Sequence, residues 1–139
     1  MSPFGIDFGK LTALPLRTLR SAYASDKPFK ATVALTYRCP YRCYYCGVWS
    51  REAEDLSAEA YADALASVPS ITWLDVTGGE IFARPDIHEV CHAMVEALPR
   101  LSLFHFPTSG SHPESAAVLA EAVARKGIQV VVTVSIEGP

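Results

Sequence analysis

The sequence predicts an α/β protein: about four parallel strands with helices outside them, forming part of a (β/α) barrel. Three observations predict it. Four short, nearly unbroken apolar runs alternate with amphipathic helical segments, and strands apolar along their whole length belong in a parallel sheet covered by crossover helices. The turn after the first run carries three cysteines where an open dinucleotide-binding sheet would carry G-x-G-x-x-G, so a barrel is favoured over a doubly wound sheet. At 139 residues the chain supplies about half of the roughly 250 residues that eight barrel units take.

Taken in order, residues 1–28 read as a leader outside the main fold, with a short helix from Pro15 to Ala24 that puts Leu16, Leu19 and Tyr23 on one side. Residues 29–139 then form the barrel unit. Lys30 to Thr36 (KATVALT) is apolar and partly β-branched, and becomes the first strand. Leu56 to Val68 places Leu56, Tyr61, Ala64, Leu65 and Val68 at helical spacing, with Ser57 as N-cap and Pro69 closing the helix. The second strand, Ile71 to Val76, runs into Thr77-Gly78-Gly79-Glu80, where paired glycines permit a close backbone approach.

Asp86 and Glu89 have the spacing of a capping box, and Ile87, Val90, Cys91, Met94 and Leu98 form one face of the helix that follows. Leu101 to Phe106 is the third strand, ending at Pro107-Thr108-Ser109-Gly110. Pro113 to Lys126 is the third helix, with proline at its start and Gly127 just past its end. Ile128 to Ile136 is the fourth strand. It would leave Val130, Val131, Val132 and Val134 along an unpaired edge, which isolated proteins normally cover or charge, so the rest of a barrel or a partner chain is expected there.

Half of the residues are hydrophobic and the formal charge is −3, with a pI near 5.8. Scattered lysines and arginines make no basic stripe, so nucleic acid is not the expected partner. Lys10, Pro15, Arg17 and Arg20 interrupt the apolar residues of the leader, leaving no membrane span or signal-peptide core. A cytoplasmic location is expected, in keeping with clustered free thiols.

Those thiols carry the chemistry. Cys39, Cys43 and Cys46 are three of the four cysteines and fall within eight residues, a spacing that wraps a short loop around one compact object rather than closing the long loops of a disulfide scaffold. Iron–sulfur clusters and structural zinc usually take four protein ligands, so a set of three leaves one position open. The alternative is a non-catalytic module, zinc or an electron-transfer cluster with its fourth ligand supplied elsewhere. Parallel sheets gather their sites at the C-terminal ends of the strands, where the cysteine loop, Gly78-Gly79-Glu80, Thr108-Ser109-Gly110 and Ser135 to Gly138 all lie.

Cys-x3-Cys-x2-Cys with aromatic Tyr45 just before the third cysteine resembles the signature of the radical S-adenosylmethionine (SAM) enzymes. The resemblance extends from about residue 30 to the end. It implies a partial barrel of the radical SAM type, in which Cys39, Cys43 and Cys46 hold a [4Fe-4S] cluster and SAM chelates the fourth iron. Thr77-Gly78-Gly79-Glu80 looks like that family's GGE motif, whose backbone and carboxylate receive the methionine amino group. Ser109 stands where relatives often have asparagine, and Ile81 where many have proline.

Ser135, Glu137 and Gly138 resemble the family's strand-four segment, in which a polar side chain meets the ribose or the methionine carboxylate. Alternation puts Thr133, Ser135 and Glu137 on one face, expected to be the lumen. The implied activity is reductive cleavage of SAM to a 5′-deoxyadenosyl radical that takes hydrogen from an unidentified small-molecule or peptide substrate. An external one-electron reductant and sensitivity to oxygen belong to that expectation, and no catalytic residue is assigned.

The remaining candidates have plainer readings. Cys91 shares an apolar helix face and reads as a small buried hydrophobe. His88 and His92, one turn apart without a third ligand nearby, read as a solvated flank. His105 alternates with Leu101 and Leu103, which suits a hydrogen-bonded core histidine or a lumen residue. Asp75 is left unassigned.

Overall fold

Each of the four apolar runs forms a strand, and the strands lie side by side in the order in which they are made. The structure is a computed structural model that describes residues 27–52 and 54–136. The leader helix expected over Pro15 to Ala24, and the site residues Glu137 and Gly138, lie outside the described residues. Strands β1 (Lys30–Thr36), β2 (Trp73–Gly78), β3 (Leu103–Thr108) and β4 (Gln129–Val134) make one sheet in the order β1-β2-β3-β4, with every pair parallel. Helices α1 (Ala58–Ala66), α2 (Ile87–Glu96) and α3 (Pro113–Ala124) are the crossovers.

That order decides the architecture. Right-handed crossovers between strands added in one direction put every helix on the same side, as in a barrel wall, whereas a doubly wound sheet must reverse its order. One face of the sheet, with Leu35, Leu74, Val76, Phe104 and Phe106, is accordingly buried in a single core against Tyr61 and Leu65 of α1, Val90 and Met94 of α2, and Leu119 and Val123 of α3.

The ends of the elements depart from expectation in ways the packing explains. β2 and β3 pair two residues later than the apolar runs begin. Ile71 and Leu101 are buried but precede the ladder, because apolar side chains close the bottom of the core before backbone pairing starts. The Ser57 cap forms, its side chain accepting from Ala60 N at 3.2 Å. The Asp86–Glu89 capping box does not: Asp86 makes no side-chain cap, and its carboxylate instead takes two bonds from Arg84 at 2.7 and 2.8 Å. A bidentate charge-assisted pair outcompetes a single capping bond. On β4, Val131, Val132 and Val134 are exposed as expected, while Val130 packs against the core.

Candidate functional site

The site begins where β1 gives way to the cysteine loop. A register shift between Ala34 and Thr36 marks a bulge at the tip of β1, a device that re-aims the chain leaving a sheet. Thr36 is buried, and its hydroxyl accepts from Arg38 N at 3.0 Å. Pairing with β2 then continues into the loop: Gly79 N donates to Thr36 O at 2.8 Å and Glu80 N to Arg38 O at 3.0 Å.

Only glycine fits this contact. A Cβ on Gly78, whose φ is +140°, would stand 2.3 Å from Thr36 O, and one on Gly79 would stand 2.1 Å from Arg38 O. The paired glycines therefore lay the cysteine loop against the tip of β2, whatever else their backbone meets.

The loop and three strand tips enclose a cleft of about 460 Å³. Cys39, Cys43, Tyr45 and Cys46 line it from the loop, and Gly78, Gly79 and Glu80 from β2. Ser109 closes it after β3 and Ser135 after β4. Every expected site residue within the described part of the chain thus meets in one place. A larger hollow of about 930 Å³, lined by Arg38, Trp49 and His112 among others, shares only Cys39 with the cleft.

The two walls of the cleft differ. Cys39 and Cys43 are half-buried and Cys46 is exposed, all three as free thiols. The loop between them is held by Cys46 N to Cys43 O at 3.1 Å and Val48 N to Cys46 O at 2.9 Å. Three thiols on one cleft fit a soft metal or cluster in donor type, but among the described residues no three His, Cys, Asp or Glu side chains are gathered closely enough to hold a metal ion.

Glu80 on the opposite wall is 2% exposed. Its Oε1 accepts from Phe82 N at 3.3 Å and Thr108 Oγ1 at 3.0 Å, and its Oε2 from Ser109 N at 2.7 Å and Ser109 Oγ at 2.5 Å. Four donors answer one buried carboxylate, as burial of a charge requires.

Two amino-acid sequences of PqqA peptide cyclases match the chain. That of Ruegeria pomeroyi is 33% identical over 75 residues, 50% of this chain and 20% of the cyclase. That of Methylorubrum populi is 37% identical over 68 residues, 45% of this chain and 18% of the cyclase. The chain is a relative of the radical SAM enzymes.

The fold agrees with this family. The crystal structure of BtrN in complex with AdoMet and 2-DOIA superposes with a TM-score of 0.59 at 18% identity, covering 82% of this chain and 49% of that one. BtrN in an open conformation gives 0.58 at 18% identity, covering 78% and 57%. The chain spans about a fifth of the cyclases' length. No family model matches it.

Two groups beside the cleft have partners that the sequence reading did not give them. The first is Arg84, 2% exposed, which donates to Leu35 O at 2.8 Å, to Leu56 O at 2.5 Å and to both oxygens of Asp86. Leu35 and Leu56 flank the cysteine loop on either side, so a single guanidinium pins both ends. Arg84 holds the Asp86 carboxyl below its usual range, and the same pairing raises Arg84 further. An arginine inside the apolar run Ile81 to Ile87 was the available signal.

The second is Asp75, whose Oδ1 lies 2.5 Å from His105 Nδ1 and whose Oδ2 lies 3.2 Å from Lys30 Nζ. Burial raises the Asp75 carboxyl, but hydrogen bonds from His105 and Lys30 outweigh it and hold the group below its ordinary value. Both residues interrupt apolar strands at paired positions, which only the register reveals.

The other candidates fall as expected. Cys91 is fully buried, and burial pushes its thiol up to about 12. His88 bonds Ser115 at 2.8 Å and His92 stands 3.8 Å from Glu96, each facing its own neighbour rather than a shared ligand.

Proposed function

We propose that this chain is the part of a radical SAM enzyme that holds a [4Fe-4S] cluster on Cys39, Cys43 and Cys46 and S-adenosylmethionine beside it. The observation that supports the reading is the single cleft in which those cysteines, Tyr45, Gly78, Gly79, Glu80, Ser109 and Ser135 meet. The thiols are the cluster ligands. Backbone groups at Gly78 and Gly79, with the negative charge of Glu80, receive the methionine amino group.

Because four donors already occupy Glu80, the ammonium replaces the Ser109 hydroxyl, which can rotate away, and leaves the backbone N–H bonds in place. Ser135, and Glu137 beyond the described residues, meet the ribose or the methionine carboxylate. When bound, cluster and SAM supply one-electron reductive cleavage to a 5′-deoxyadenosyl radical, which takes hydrogen from a substrate. The electron comes from an external carrier, and free thiols are in keeping with a reducing cytoplasm. The related cyclases are named for a peptide, which favours a peptide substrate here.

The test is anaerobic reconstitution of the full-length protein with iron and sulfide, then SAM and dithionite. Reductant-dependent 5′-deoxyadenosine is the expected product. An intact cluster that leaves SAM uncleaved would sink the reading, and one zinc per chain without labile sulfide would replace it with a non-catalytic metal module.

A further inference from the structure

The side of the sheet away from the helices carries a chain of polar groups that neither SAM nor the cluster explains. Asp75 on β2, His105 on β3 and Thr133 on β4 each interrupt an apolar strand. Asp75 pairs with His105 in the β2–β3 register, and His105 with Val131 in the β3–β4 register, so Thr133 lies two residues further along on the same face. The contacts are short: Asp75 Oδ1 to His105 Nδ1 is 2.5 Å and His105 Nε2 to Thr133 Oγ1 is 2.9 Å.

Hydrogen-bond logic fixes the direction of the chain. Asp75 also accepts from Thr32 Oγ1 at 3.3 Å and faces Lys30 at 3.2 Å, the environment of an ionised carboxylate, which can only accept. His105 Nδ1 must therefore carry the proton. In the neutral ring Nε2 is then an acceptor, so Thr133 donates its hydroxyl proton to it. This is the arrangement of a hydroxyl activated by an imidazole that a part-buried carboxylate orients.

A cross-brace hidden in a core would make the same bonds, but this one is reachable. The side chain of His105 is 23% exposed and that of Asp75 17%, and Thr133 is exposed as well. Ser135, on the same face of the β4 run, lines the cleft, and two residues along a strand span only about 7 Å. A ligand filling the cleft and running down this face would meet Thr133 next.

We propose that Asp75, His105 and Thr133 form a proton-transfer site for the substrate, acting on an O–H, N–H or similarly acidic group. The substrate gives its proton to Thr133 Oγ1 as Thr133 gives its own to His105 Nε2. The products are a deprotonated substrate, an intact threonine and an imidazolium paired with Asp75, and no electron is transferred. The site goes beyond the SAM chemistry proposed above and needs neither cluster nor reductant to be observed.

The test uses the full-length protein with its cluster reconstituted, under anaerobic conditions, and p-nitrophenyl acetate as the probe. Peptide mass mapping should find Thr133 acetylated far faster than an ordinary exposed hydroxyl such as Ser57. His105→Gln and Asp75→Asn should slow that labelling by about a hundredfold, the usual scale of general-base assistance. The associated burst of p-nitrophenol should vanish in Thr133→Val and return in Thr133→Ser, two changes on the face away from the helix-packed core that do not depend on the core variants folding. Labelling of Thr133 no faster than that of Ser57, or a rate indifferent to His105→Gln, overturns the proposal. A negative result here leaves SAM cleavage untouched, and a failure to cleave SAM leaves this site standing.

Discussion

The corner from Glu80 to Asp86, which gives Glu80 to the cleft, and the loop from Cys39 to Cys46, which gives it three thiols, are built by opposite means. In the corner, Glu80 and Arg84 are each 2% exposed, and their charged atoms are matched by partners at hydrogen-bond distance. The loop has exposed Tyr44, Tyr45 and Cys46 and few bonds of its own. One wall is thus tied down by folding alone, while the other carries its thiols on a loop with few bonds of its own. Coupling between ligand binding and local order is the expected consequence.

The contrast can be broken most forcefully at Arg84. Arg84→Met strands the buried carbonyl of Leu35 and frees the part-buried one of Leu56, and should lower stability by about 2 kcal/mol, given about 1–3 kcal/mol for an unanswered buried group. Urea unfolding measures it, and an unchanged midpoint would show that the loop ends need no clasp. Gly79→Ala comes next: its Cβ would meet Arg38 O at 2.1 Å, and crowding of this kind costs about 1–3 kcal/mol. Iron bound per chain should fall as well, since the loop is pushed off β2.

Glu80→Gln puts an amide NH₂ among the donors of Thr108 and Ser109. We expect a loss of about 1–2 kcal/mol and a weaker affinity for SAM by equilibrium dialysis. Replacing Cys39, Cys43 and Cys46 by alanine together should do the reverse of the corner variants. Stability of the metal-free chain should fall by no more than about 1 kcal/mol, since two of the three sites are half-buried and none is in the core, while iron uptake disappears. A large drop in the urea midpoint would mean that the loop is as finished as the corner.

The smallest effect concerns acid. Asp75 is held below its ordinary 3.8 by His105 and Lys30 against the opposing effect of burial. Its contribution to stability is therefore complete above about pH 3.8 and lost as the pH falls through the lower native value. Asp75→Asn should flatten that part of the stability–pH curve, and an unchanged slope would contradict the pairing.

What the sequence disclosed follows from what is local in it. Strand order, the gathering of sites at strand tips and the proximity of Cys39, Gly79 and Ser135 all follow from counting apolar runs and applying the handedness of crossovers. Glu80 was legible as a carboxylate at the tip of β2, but not as a buried tie between β2 and β3, because that depends on Thr108 and Ser109 arriving from a later strand. The Asp75–His105 pair is hidden for the same reason. Asp86 shows the opposite failure: a local pattern matched a capping box, and a guanidinium two residues away took the carboxylate. The two-residue offset of β2 and β3 arises because apolarity reports burial whereas a ladder reports backbone pairing.

The clasp at Arg84 has a meaning for how such a protein can change. A segment whose two ends are fastened to one point can grow, shrink or be exchanged without moving the strands that carry it, since doubling the length of a closed loop costs only about 0.6 kcal/mol. Between Leu35 and Leu56 the chain is therefore built as a replaceable cartridge. Loops of other lengths and other ligand spacings could be grafted onto the same pair of carbonyls, leaving the tips of β2, β3 and β4 where they are.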